Sequence, residues 1–321
     1  MSTDGTRVWV PPLPGPLEVA AGAAAGVGAI VGAPVLGPLV RAAFTPLRAP
    51  GTQAAADPPK AAGPADPGWF GPDSVAWRAH ADVSMLVAGM TAFALQALHP
   101  LAMAGVWDHS AFGGDFFGRV RRTGEFVQGV VYDPAPDAER RCAAVRRIHR
   151  RVVGVAPDGR PYDASHPELL DWVHLTEYLA IAAANRRFAA HPMGRDELDR
   201  YVAETARVGE AMGVADPPRS WSELYGAFER HRRSLALGDQ AATAIAFLER
   251  PSFLPPAAAP PWRAVWGGAL AVLPPPARKL LRAPMPNLAE VAACRAVVRA
   301  LGRYLATPAP LLAARARLGL D

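Results

Sequence analysis

The chain has 321 residues, room for one large domain or two small ones, with half of them hydrophobic and 20% charged. That balance supports a sizeable core and excludes a disordered chain; the two cysteines, Cys142 and Cys294, exclude a disulfide framework and a thiolate cage for zinc or an iron–sulfur cluster. The formal charge is +5, and Lys60 and Lys279 are the only lysines. The arginines are spread through helical segments without interleaved aromatics, which argues against nucleic-acid binding. The scarce cysteines are compatible with a reducing compartment, and the chain reads as cytoplasmic.

Residues 1–44 form an Ala/Gly-rich segment. From Leu17 to Val40 the only charge is Glu18, yet Pro34 and Pro38 interrupt the run and no basic start precedes it. We expect a weak helix lying on the protein or making peripheral membrane contact through residues 17–44. Residues 45–72 read as a linker, with Pro46, Pro50, Pro58, Pro59, Pro64, Pro67 and Pro72.

A body over 73–250 opens where Asp73 or Ser74 caps a helix from Val75 to Leu98, charge-free from Val83 onward and ended by His99-Pro100. Helical periodicity then recurs over 115–131, 137–153, 167–190, 196–212, 221–237 and 239–250, with Ser220 and Glu223 spaced as a capping box. A proline-rich break over 251–261 precedes helices near 262–273 and 288–305, in a C-terminal extension (251–321) packing on the body. No stretch alternates as a strand. The predicted fold is all-α, a single multi-helix domain with a buried pocket between helices.

Eight histidines carry the candidate chemistry. His80, His191 and His231 stand beside charged or loop residues and read as solvated, while His166 reads as a local hydrogen-bonding residue at a helix start. His149 shares one helix face with Cys142, Val145 and Val152, while Arg140, Arg141, Arg146, Arg147, Arg150 and Arg151 occupy the others. An inward imidazole is ordinarily a core residue. Amid so many cations it also suits a haem, which needs one axial imidazole and positive charge for two propionates. His174 and Glu177, three apart, could share a metal, but no second motif of that kind is present. His99 and His109 flank what reads as a turn containing Gly105, and Arg119 and Thr123 fall on one helix face with Arg122 near. Dinucleotide, P-loop, nucleophile-elbow and zinc-protease motifs are all missing.

One ordered series of residues resembles a known family. It comprises Phe70-Gly71-Pro72-Asp73-Ser74, Trp77-Arg78, Leu95 to Pro100, Ala104-Gly105-Val106, His109-Ser110, Arg119 and Thr123, His149 with Val152-Val153-Gly154, Tyr162-Asp163-Ala164, and Trp172-Val173-His174. Together these residues resemble the MpaB / latex-clearing-protein family over about residues 70–235. The resemblance implies an all-α oxygenase carrying one haem b, which would act on an apolar small molecule or secondary metabolite with dioxygen or peroxide. It implies His149 as the proximal iron ligand, with Arg119 and Thr123 on the distal side. His99 and His174 fall in shared motifs, as second-shell or alternative ligands, and Arg147 and Arg151 are expected to pair with propionates. Met103, Trp107, Phe112, Phe116 and Phe117 are expected to line an apolar cavity.

Two departures stand out. Arg122 occupies the place of a lysine that latex-clearing proteins use on the distal side, and near Met103 no carboxylate matches their acidic residue. Rubber cleavage is therefore not expected. Two other readings follow from the same residues: a non-catalytic haem- or lipid-binding helical protein at a membrane surface, and a non-haem iron oxygenase using His174 and Glu177 with His99 or His149.

Overall fold

A computed structural model describes residues 8–20, 66–109, 116–252, 254–304 and 307–320. Most of the Ala/Gly-rich segment and nearly all of the linker lie outside the described residues. The fold is all-α.

Helix α1 (Val75–Ala81) begins where the Ser74 hydroxyl accepts from the Trp77 N–H at 3.0 Å. The single helix expected over 75–98 is broken after Ala81. Asp82 turns extended there, and its carboxylate accepts from the N–H of Ser84 at 2.7 Å and of Ala190 at 3.2 Å, satisfying donors a helix would have used otherwise. Helix α2 (Met85–Ala97) follows. The segment read as a turn after His99 is instead α3 (Pro100–His109), bent by 109° from α2, because proline breaks a helix interior but is well accommodated at a first helical position, where its missing N–H is not needed.

Next come α4 (Phe116–Tyr132) and α5 (Ala135–His149). Helix α5 stops four residues before the expected end, since Val152 and Val153 leave it for a short antiparallel hairpin, β1 (Val153–Val155) with β2 (Pro161–Asp163). This hairpin was not anticipated.

Helix α6 (Pro167–Phe188) is the axis of the body: from Leu175 to Phe188 every residue is buried except Glu177, which is half-buried with its carboxyl turned inward to Gln96. Its Ala180, Ala182, Ala183 and Ala184 are buried, as are Ala88, Ala92 and Ala94 of α2, the helix that packs against it, so little side-chain bulk separates the two. Helices α7 (Arg195–Met212), α8 (Trp221–His231) and α9 (Asp239–Glu249) pack around them. Helix α8 ends six residues before the expected Leu237, passing into a 3₁₀ turn at Arg232–Ser234. Its Ser220 hydroxyl accepts from Glu223 N–H, while the Glu223 carboxylate reaches back one residue farther than a capping box requires, to Arg219 N–H.

The C-terminal helices α10 (Ala259–Ala271), α11 (Pro275–Leu280), α12 (Leu288–Tyr304) and α13 (Ala309–Leu318) share the same core. Thr91 of α2 donates to the Ala269 carbonyl of α10 at 3.4 Å. Among the described residues no single helix is long and apolar enough to cross a membrane; only the bent α2–α3 pair passes such a test, and α2 is mostly buried.

Residues 8–20 are held by the C-terminal end of α6. Arg186 donates to the carbonyls of Pro11 and Met193, and Arg187 to the Leu13 carbonyl and the Glu18 carboxylate at 2.5 Å. Arg295 donates to the Arg187 carbonyl. Cations at a helix C-terminus are favoured by its dipole, and a buried pair broken on one side leaves an uncompensated charge. Arg187→Ala is therefore expected to cost about 3–5 kcal/mol in urea unfolding and to release residues 8–20 to limited proteolysis; an unchanged unfolding midpoint would contradict this.

Candidate functional site

His149 is the last residue of α5. It is half-buried, and its Nδ1 is enclosed with no hydrogen-bond partner. Burial, with the Arg119 guanidinium of α4 as a lesser cause, pushes the imidazole below its ordinary pKa, against the opposing pull of Asp163 at the end of β2. The ring is thus neutral with a lone pair to offer, the state in which histidine ligates a metal.

Arg119 is itself held down to about 10, first by desolvation and then by Arg122. Three elements therefore converge: the end of α5, the first half of α4, and the hairpin. The hairpin packs on α3 at Gly105, with a Cβ-sized space left between them. A Cβ there would meet Val152 at 3.5 Å and the Tyr162 ring at 3.6 Å, and the Tyr162 hydroxyl donates to Asp108 at 2.7 Å.

The remaining expectations divide. Arg147 and Arg151 are exposed along with Arg140, Arg141, Arg146 and Arg150, so cations surround the buried Cys142 face. Arg122 and Thr123 are exposed, whereas Arg119, one turn earlier on α4, is half-buried. Met103 packs with Ala97, Ala241 and Ala244, with half-buried Trp107 beside them. Phe112 and the side chains of Phe116 and Phe117 lie outside the described residues.

His174 and Glu177 do not join other ligands. His174 is buried against Gly209, where a Cβ would lie 2.8 Å from the ring, with Tyr178 at 4.8 Å between ring centroids. Burial holds its pKa at about 4. Glu177 accepts from Gln96 at 3.2 Å. Among the described residues, this pair is therefore engaged in packing and a helix–helix hydrogen bond, with no third metal-ligating group beside it.

Two histidines expected at the surface are inside. His80 is 1% exposed and its Nε2 lies 3.1 Å from the Tyr201 hydroxyl; burial lowers its pKa to about 3. His231 is buried and its Nε2 lies 2.7 Å from Asp171. Charged sequence neighbours concealed both, since on a helix the residues next in sequence point to other faces. His231 lies beside His99, which is 1% exposed with both ring nitrogens unpartnered, and beside Glu168; a ligand atom from each of the three lies within 4.8 Å of the others. His99 therefore faces this cluster. His166 caps α6, accepting from Glu168 N–H at 3.3 Å.

Burial pushes the Glu177 carboxyl up to about 7, although the Gln96 hydrogen bond opposes this. Between the ordinary glutamate pKa and about 7 the native state holds a proton that the unfolded chain has released, so stability falls as pH rises through that window. Glu177→Gln is expected to match the wild type near pH 5 and to exceed it increasingly up to pH 8 in urea midpoints. An equal difference at both ends would refute the assignment.

The catalytic-domain model described as "ER-bound oxygenase mpaB/B'/Rubber oxygenase, catalytic domain" matches residues 77–305, a span that contains His99, Arg119, His149, Glu168 and His231. Among curated proteins and among solved structures nothing matches the chain. With more than half of its length matched, including every helix from α2 to α12 and all of α1 but its first two residues, the chain belongs to the mpaB/rubber oxygenase catalytic-domain family.

Proposed function

We propose that this oxygenase-family chain is a haem b enzyme that oxidises an apolar small molecule with dioxygen, His149 being the iron ligand. The observation that carries the reading is the His149 imidazole: neutral, its Nδ1 enclosed without a partner, and set beside the half-buried Arg119. These residues fit the group. A b-type haem needs one neutral axial imidazole and nearby cations, and when bound it would supply the capacity to activate dioxygen.

The chain's own residues have separable roles. His149 offers its lone pair because burial and Arg119 hold it neutral. Arg119 is partly desolvated, so its N–H groups would stabilise negative charge developing on oxygen more strongly than a solvated guanidinium could. Arg147 and Arg151, on the exposed faces beside His149, would pair with propionates. Arg122 and Thr123 lie at solvent one turn from Arg119, where they would hold polar atoms of an arriving substrate. Arginine at position 122 offers only donors and no lone pair, so it would not itself ligate iron.

Haemin titrated into the full-length chain should give a saturable Soret change at about one haem per chain. His149→Ala should lose it. Arg119→Met should keep haem uptake while oxygen consumption under a chemical reductant falls roughly 10²-fold. Full haem uptake by His149→Ala would overturn the assignment.

A further inference from the structure

We propose that His99, Glu168 and His231 form a binding site for a divalent first-row transition metal, of the Zn2+ or Fe2+ class, separate from His149. The three come from three places in the fold: His99 from the bend between α2 and α3, Glu168 from the first turn of α6, and His231 from the last residue of α8. One ligand atom from each lies within 4.8 Å of the other two.

His99 points to a ligand independently of that spacing. It is 1% exposed, and both its nitrogens are enclosed without a hydrogen bond; Glu168 Oε1 is 3.6 Å from Nε2. A buried imidazole with neither nitrogen satisfied is rare in a native core and calls for a partner at that position. Two neutral imidazoles and one carboxylate are the donor set that zinc and non-haem iron take, with further positions left to water.

The surroundings hold this set in place. The Asp171 carboxylate, 2.7 Å from His231 Nε2, fixes which nitrogen of that ring carries the proton, as carboxylates behind metal-bound histidines do. The two imidazole centroids are 6.3 Å apart, and the Trp172 ring packs against both from one side, 6.0 Å from His99 and 5.4 Å from His231. The Ala236 N–H donates to the Leu98 carbonyl at 2.8 Å, joining the segment after α8 to the residue before His99. The Arg160 guanidinium bears on His99 and Glu168, and its Nε and Nη2 both donate to one Asp158 oxygen. The Glu168 side chain is 43% exposed, so the site opens to water on that side and a metal can enter.

The two candidate centres stand at opposite ends of α3: His99 precedes its first residue, whereas the hairpin beside His149 rests on Gly105 and Asp108 near its end. They can therefore be tested apart. Tag-free full-length protein, dialysed against chelator, is titrated with Zn2+ and, under nitrogen, with Fe2+, by calorimetry and by thermal unfolding. The wild type and His149→Ala should each take up about one metal per chain with a rise in unfolding temperature. Glu168→Gln, a half-exposed change compatible with folding, should bind at least about 10-fold more weakly, and His231→Ala should not bind. Absence of saturable binding in the wild type, or unaltered binding in Glu168→Gln, would overturn the site. Loss of binding in His149→Ala would also do so, by assigning the metal to the other centre.

Discussion

The packing of α6 against α2 sets the terms for the rest of the molecule. Buried alanines on both helices leave little side-chain bulk between them, and the fourteen positions from Leu175 to Phe188 then have almost no access to water. Any polar group on α6 must find its partner inside the protein. Thr176 donates back to the Trp172 carbonyl, the Asn185 carboxamide accepts from Met193 N–H, and Arg186 and Arg187 collect the carbonyls of residues 8–20. The N-terminal segment is thus tied to the body by charge that the central helix cannot leave exposed.

The same burial determines the chemistry available. His80, His174, His99 and His149 are all pushed toward the neutral form, chiefly by desolvation. What separates them is whether another group meets the ring. Tyr201 meets His80, and Gly209 with Tyr178 closes over His174. Neither ring nitrogen of His99 is hydrogen-bonded, and His149 keeps an enclosed Nδ1 without a partner, as His80 does at Nδ1; His99 precedes α3, and the hairpin beside His149 packs near its other end. The bend at His99-Pro100 and the hairpin seated on Gly105 are therefore the features that place ligand-competent imidazoles.

Much of this was legible in the sequence, and the failures have physical causes. Apolar spacing revealed the helices of the body, and the Cys142–Val145–His149 face picked out His149 by periodicity alone. The break at Asp82 was hidden because the carboxylate that ends α1 acts partly through Ala190, more than a hundred residues away. The hairpin escaped notice because each strand is three residues long. His231 was misread because its neighbours Arg230 and Arg232 say nothing about the helix face that meets Asp171. Only the tertiary fold could join His99, Glu168 and His231, which are spread over more than 130 residues. Conversely, Arg119 and Thr123 were correctly placed on one helix, yet their burial differs in a way their spacing could not specify.

The central claim is that this oxygenase-family chain is built around a haem. Its most direct test is the absorption spectrum of the protein as purified from a haem-replete host, oxidised and reduced, with a pyridine haemochrome assay on the same sample. The account predicts a Soret band and about one haem b per chain. A colourless protein would contradict it, and iron without porphyrin in that protein would move the oxygenase chemistry to a non-haem centre.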